Sequence, residues 1–282
     1  MKNVPILLTI VAVIVLLSGA CRKNCRDDDR LTKQELSITE KIKGVIVEGP
    51  WDVSITQDSI NNSAMLEYST SEKNRIIAEL RPNGYLHIKI LYQSKWNSDC
   101  KTFRAKINAT VLENIDASGA AIIRTYGYFR ALSDISLSGA SEINGLESEG
   151  RYAKLNLSGA SKLKKFTFTG NSIEAKLSGA SYISLDNTNI DDCKVNCSGA
   201  STFDGRGYAS KITFSGSGAS DFKTFDLESE NLDIDLSGAS SADVTVNHTI
   251  KGRLSGASIL RYKKAKNVNV STEGASNIIR IK

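Results

Sequence analysis

The tetrapeptide Ser-Gly-Ala-Ser recurs intact at 138–141, 158–161, 178–181, 198–201, 217–220, 237–240 and 255–258. Altered copies stand at Ser118-Gly119-Ala120-Ala121 and Glu273-Gly274-Ala275-Ser276. From glycine to glycine (Gly119, Gly139, Gly159, Gly179, Gly199, Gly218, Gly238, Gly256, Gly274) the spacings are 20, 20, 20, 20, 19, 20, 18 and 18 residues. A fixed period of this length marks a solenoid, in which each repeat buries its apolar face only against its neighbours.

The flanking residues say which solenoid. Four residues before the glycine stand Ile115, Ile135, Leu155, Ala175, Val195, Phe214, Ile234, Gly252 and Val270, and two before it stand Ala117, three leucines, Cys197, Gly216, Leu236, Leu254 and Thr272. The column between them, from Asp116 through Asn156 and Lys176 to Ser271, is polar in all nine copies. This period-two alternation predicts a strand with one buried face. A third apolar column lies four residues past the glycine, from Ile123 and Ile143 to Ile278. Each repeat therefore reads as strand, corner, strand. Coils about 4.8 Å apart need small corner residues, and glycine alone takes positive φ without cost. The flanking serines can hydrogen-bond along the stack or to the turning backbone. The predicted fold is all-β, a single-stranded parallel β-helix with coils of about 20 residues. No repeat has a helical period long enough for leucine-rich repeats, and the period is too short for propeller blades of ~40 residues.

Residues 1–20 combine Lys2, an apolar run from Val4 to Leu17 and a Ser18-Gly19-Ala20 stretch before Cys21. This predicts a secretory signal, and the last residues resemble a lipobox in which Cys21 is diacylated and becomes the mature N-terminus. The run is short of the ~20 residues that span a bilayer. Residues 21–43 are polar without alternation and read as a flexible tether. The β-helix domain is expected over 44–282, with atypical N-terminal coils or a cap at 44–110 and regular coils at 111–282. Val45–Ile55 repeats the strand, corner, strand grammar around Gly49-Pro50-Trp51, and Pro82-Asn83-Gly84 reads as the turn of a hairpin. Eleven or twelve coils are expected in all.

The Val45–Ile55 pattern, the Asn83-Gly84-Tyr85-Leu86-His87-Ile88 segment and the Ser-Gly-Ala-Ser coils together resemble the autotransporter adhesin "head GIN domain" family of secreted bacterial proteins. The resemblance covers about residues 44–280. It implies a right-handed β-helix and a cell-surface setting. No membrane-barrel translocator follows Lys282, so a lipid anchor on Cys21 is expected in its place.

The formal charge of +5 is mild, and the basic clusters Lys162/Lys164/Lys165 and Lys263/Lys264/Lys266 read first as solvated faces, with anionic surface polymers as the alternative. No aromatic-interleaved basic groove suggests nucleic acid. Cys193 and Cys197 are four apart on one strand, too far to bridge, and Cys197 falls in a core column; Cys25 and Cys100 have no assigned state. The two histidines, His87 and His248, are far apart in sequence, and neither a metal nor a cofactor is expected. Asp191-Asp192 superficially resembles the acidic motifs of β-helical pectin-degrading enzymes, but no His-Gly or Arg-x-Lys companion follows, and no catalytic residue is assigned. Tyr126, Tyr128, Tyr152, Tyr182, Tyr208 and Tyr262 lie outside the core columns and are the candidate ligand contacts, as exposed tyrosine suits glycan stacking or protein contact. The expected function is non-catalytic binding or scaffolding by a monomeric outer-membrane lipoprotein, periplasmic or surface-exposed. Its partners would be the membrane through Cys21 and a surface glycan or a host or neighbour-cell protein. The alternative is a carbohydrate-binding or carbohydrate-cleaving envelope protein.

Overall fold

The computed structural model describes residues 30–91 and 101–282. Its 21 strands form one continuous sheet wound as a parallel β-solenoid of about eight turns, with parallel bridges about 20 residues apart. The three apolar columns stack in register. Ile135 lies between Ile115 and Leu155, and Leu137 between Ala117 and Leu157. After the corner, Ile143, Leu163, Ile183, Phe203 and Phe222 follow one another coil by coil. These side chains are at most 2% exposed and form one core along the axis. Gly216 interrupts the leucine column because Phe214 and Phe222 stack there with ring centroids 4.4 Å apart. A Cβ on Gly216 would come within 2.8 Å of Phe222.

The corner explains the tetrapeptide residue by residue. All nine corner glycines have φ between +69° and +83°. From Gly139 onward, a Cβ at each would fall 2.5–2.8 Å from the carbonyl oxygen of the corner glycine one coil before. The alanine N–H donates to that same carbonyl, as Ala160 does to Gly139 and Ala180 to Gly159, both at 2.7 Å. The second serine is buried, and its hydroxyl donates across the turn to the carbonyl of the first, from Ser141 to Ser138 at 2.9 Å through Ser258 to Ser255 at 2.8 Å. The two serines therefore do different work, and only the first faces solvent.

The N-terminal third departs from chain order. Strands β1 (Leu31–Leu36), β2 (Gly44–Gly49), β3 (Asp52–Gln57), β4 (Ser63–Ser69), β5 (Ile76–Leu80), β6 (Tyr85–Ile90) and β7 (Phe103–Ala109) precede β8 (Asn114–Gly119) and β9 (Ile122–Tyr126). The first coil, β2 and β3, stacks directly on β8 and β9. The intervening segment folds over its free side, with β6 parallel on β2 and β7 parallel on β3. The pairs β5/β6 and β4/β7 are antiparallel, and β1 closes the edge antiparallel to β4. This cap accounts for about eight turns where eleven or twelve were expected, because its strands add no coils. It also corrects the tether reading: residues 31–36 are a strand, unrecognisable by alternation because neither of its faces is deeply buried. Trp51, 1% exposed, fills the corner column at this end with Phe103 edge-on at 5.5 Å. Ala121 lies beneath it, where later copies have serine, and Ile122 N–H donates to the Trp51 carbonyl. The leader at 1–20, Cys21, Cys25 and Cys100 lie outside the described residues.

Candidate functional site

The strand before each corner sends its leucine-column side chain inward, so the residues on either side of it point outward. One outward column holds Asp116, Ser136, Asn156, Lys176, Asn196 and Ser215, and the other holds Ser138, Ser158, Ser178, Ser198 and Ser217. Where the sheet turns into the corner, these two columns become the walls of an open groove of about 540 Å³ running across the coils. Its floor is the backbone of the leucine column. The groove thus offers hydroxyls and amides at intervals of about 4.8 Å, with one Asp and one Lys among them. Ser198 donates to the Leu177 carbonyl at 3.3 Å, which leaves its oxygen free to accept.

The N-terminal end of the groove is an ionic cluster. Asp116, Ile46 and His87 stand in register in one column. His87 is 3% exposed; Nε2 meets Glu48 Oε1 at 2.6 Å and Nδ1 meets the Arg81 guanidinium. A guanidinium only donates, so Nδ1 accepts and the ring proton sits on Nε2, donated to Glu48. Burial holds the Asp116 carboxyl above its usual range, with the neighbouring Glu48 and Asp134 carboxylates adding to the effect.

The tyrosines are not gathered into one site. Tyr126 and Tyr152 are the most exposed, at 51% and 57%. Tyr128, Tyr182 and Tyr208 direct their hydroxyls to Glu149, Asp204 and Glu230 at 3.0, 3.3 and 3.4 Å. Burial raises the Tyr128 and Tyr182 phenols above their ordinary value. Tyr182 and Tyr262 are half-buried, and none of the six lines the serine groove. Tyr128 instead borders a second depression with Gln57 and Arg130. Asp191 and Asp192 are exposed and stand outside both hollows. Cys193 and Cys197 are buried free thiols, each pushed up to about 12 by burial. Among the described residues no group of three or more His, Cys, Asp or Glu is placed to hold a metal, and no helix is long and apolar enough to cross a membrane. The groove itself had a sequence signal: the parity that puts the leucine inward puts the first serine outward.

The family described as "putative auto-transporter adhesin, head GIN domain" matches residues 41–265, which span the cap apart from β1 and all but the last coil. The chain belongs to this family. Solved structures share this fold at low identity. A "putative lipid binding protein" from Parabacteroides distasonis aligns with a TM-score of 0.66 at 14% identity, covering 90% of this chain and 98% of that one. A "putative adhesin" from Parabacteroides merdae aligns at 0.65 and 14%, and another from P. distasonis at 0.64 and 17%, with the same coverages. At such identity the likeness establishes the fold. No curated protein matches the sequence.

Proposed function

We propose that this head GIN domain protein is a non-catalytic binding rod of the bacterial cell envelope, tethered through a lipid on Cys21 at the outer membrane and holding an extended surface glycan in its serine groove. The groove is the observation that carries the reading. It is open along its length, lined by hydrogen-bonding side chains repeated once per coil, and wide enough at about 540 Å³ for a small-molecule chain segment. Hydroxyls and amides at this spacing suit a polymer whose own hydroxyls recur along an extended backbone. A folded protein partner would need a broader contact surface, roughly 800 Å² a side. The adhesin description of the family and of two structural relatives supports the surface setting. In the carbohydrate-cleaving alternative, Asp191 and Asp192 would act together, and their exposed positions outside the groove do not favour it.

A glycan-array screen of the chain, with every hit followed for loss of substrate, tests the reading. Binding without turnover is the expected result; turnover, or silence across extended glycans, overturns it. For the anchor, Cys21→Ala is expected to abolish partitioning into detergent, and a variant still found in the detergent phase refutes lipidation.

A further inference from the structure

The serine groove has a continuation. Its outer polar column runs on through Ser215 into a second open hollow of about 630 Å³. One wall is that column, with Ser215, Asp235 and Arg253, and the other is the outward column two residues earlier, with Thr213, Asp233 and Lys251. The backbone of Ile234 and Gly252 makes the floor. Gly252 stands in the inward column that earlier coils fill with buried side chains, from Ile115 to Ile234, yet it is itself exposed. It has φ +146°, and a Cβ there would fall 1.7 Å from the Ile234 carbonyl oxygen. Only glycine lets the two strands approach so closely at this point.

Charge in the hollow is sorted by coil. Asp233 and Asp235 stand on one coil, and Lys251 and Arg253 stand beside them in register on the next. Alternate residues of a strand lie about 6.6 Å apart and neighbouring coils about 4.8 Å, so the four groups mark a small rectangle with carboxylates along one edge and cations along the other. They pair across the coils, Lys251 with Asp233 at 3.3 Å and Arg253 with Asp235 at 3.6 Å, and Lys211 reaches Asp233 from the coil before at 3.4 Å. All three cationic side chains are more than half exposed. Ion pairs this open contribute little to stability, so a ligand exchanges partners with them at small cost.

We propose that this hollow is a charged subsite of the groove, holding a glycan unit in which an ammonium stands beside a carboxylate. The ammonium meets Asp233 and Asp235, and the carboxylate meets Lys251 and Arg253. A polymer of one sign would face two like charges on one coil or the other, and a neutral polymer would engage neither edge in an ion pair. A unit carrying both charges satisfies both edges at once. The inference rests on the glycan reading of the groove and adds the class of glycan.

The test is titration of the full chain with hyaluronan oligosaccharides, in which amino sugar and uronic acid alternate, in four forms: native and anionic, N-deacetylated and zwitterionic, carboxyl-reduced and neutral, and both modified and cationic. The zwitterionic form is expected to bind about tenfold more tightly than each of the others, with an advantage that shrinks as salt rises. Lys251→Gln/Arg253→Gln should bring it down to the level of the cationic form, and Asp233→Asn/Asp235→Asn to that of the anionic form, while the neutral form binds both variants as it binds wild type. Glu142→Gln/Lys164→Gln removes an ion pair of 2.7 Å on the strand past the corner and is expected to change nothing. Should the carboxylate variant melt early, Asp235→Asn alone carries that arm, since its side chain is 58% exposed. Equal binding of all four forms overturns the proposal and leaves the groove reading standing. Tightest binding of a neutral or single-sign form, or of an alternating Lys-Glu peptide over the zwitterionic glycan, overturns it as well. No binding by any form also overturns it, and the groove reading falls with it only if the glycan array is silent too.

Discussion

Replacing Gly159 with alanine is expected to destabilise the solenoid by about 3–6 kcal/mol. Gly159 has φ +73°, and holding a residue with a Cβ in that region costs roughly 1–2 kcal/mol. The new Cβ would also stand 2.6 Å from the Gly139 carbonyl oxygen and 3.1 Å from its nitrogen, both backbone atoms that cannot swing aside. The coils must therefore part by roughly half an ångström, a strain of about 1–3 kcal/mol in a packed stack. The hydrogen bond from Ala160 to the same oxygen, now 2.7 Å, lengthens with them, and its net worth is about 1 kcal/mol. Gly145 separates the two effects, because it has φ +77° but nothing within 4 Å of its Cβ position. Gly145→Ala should cost only the roughly 1–2 kcal/mol of backbone strain. Asn156→Ala, on the outward face of the adjoining strand, should change stability by about 0.5 kcal/mol or less. Urea titrations followed by far-ultraviolet circular dichroism rank the three. If Gly159→Ala costs no more than Gly145→Ala, close corner stacking is not what requires glycine, and the argument fails.

Ser181→Ala removes a buried hydroxyl that donates to the Ser178 carbonyl at 3.0 Å and is expected to cost about 1 kcal/mol in the same titration, whereas Ser178→Ala should be near neutral. Because the folded chain holds the Asp116 carboxyl above its ordinary range, ionisation there opposes folding as pH rises through the folded value. Asp116→Asn should accordingly raise the melting temperature at neutral pH, with the gain fading once acidification protonates the carboxyl in both states; a gain that grows with acid contradicts the assignment. In a chain with Cys21, Cys25 and Cys100 replaced by serine, a thiol reagent at mildly alkaline pH should label nothing in the native state and both Cys193 and Cys197 after unfolding. Native labelling would place those thiols outside the core.

The regular coils were legible because each one restates the same local rule. Glycine marks the corner, the columns on either side mark the inward face, and the register follows from the period. The cap was not legible, because which strand covers β2 and β3 depends on contacts between segments distant in sequence. Nothing in Phe103–Ala109 says that it pairs with Asp52–Gln57 in parallel and with Ser63–Ser69 antiparallel. β1 lacked alternation because an edge strand with both faces largely open has no buried side to mark. Ala121 departs from the serine of the later copies and Gly216 from the leucine column, and the structure gives each a reason: one lies beneath Trp51 and the other makes room for a phenylalanine stack. The site was legible by halves. Parity alone sets the first serine outward, and the repeat register already keeps the six tyrosines out of a single column, but only the curvature of the sheet turns two outward columns into a groove.

The groove assignment is tested most directly by titrating the best-bound extended glycan into wild-type chain, Ser158→Trp and Tyr152→Ala. Ser158 is exposed on the groove wall, so tryptophan there fills the groove without entering the core, while Tyr152 is the most exposed of the described tyrosines and lies outside it. The account predicts that Ser158→Trp weakens binding at least about tenfold, the equivalent of ~1.4 kcal/mol, at an unchanged melting temperature, and that Tyr152→Ala binds like wild type. Wild-type affinity in Ser158→Trp with loss in Tyr152→Ala would contradict it and move the ligand to the tyrosine-bearing flank.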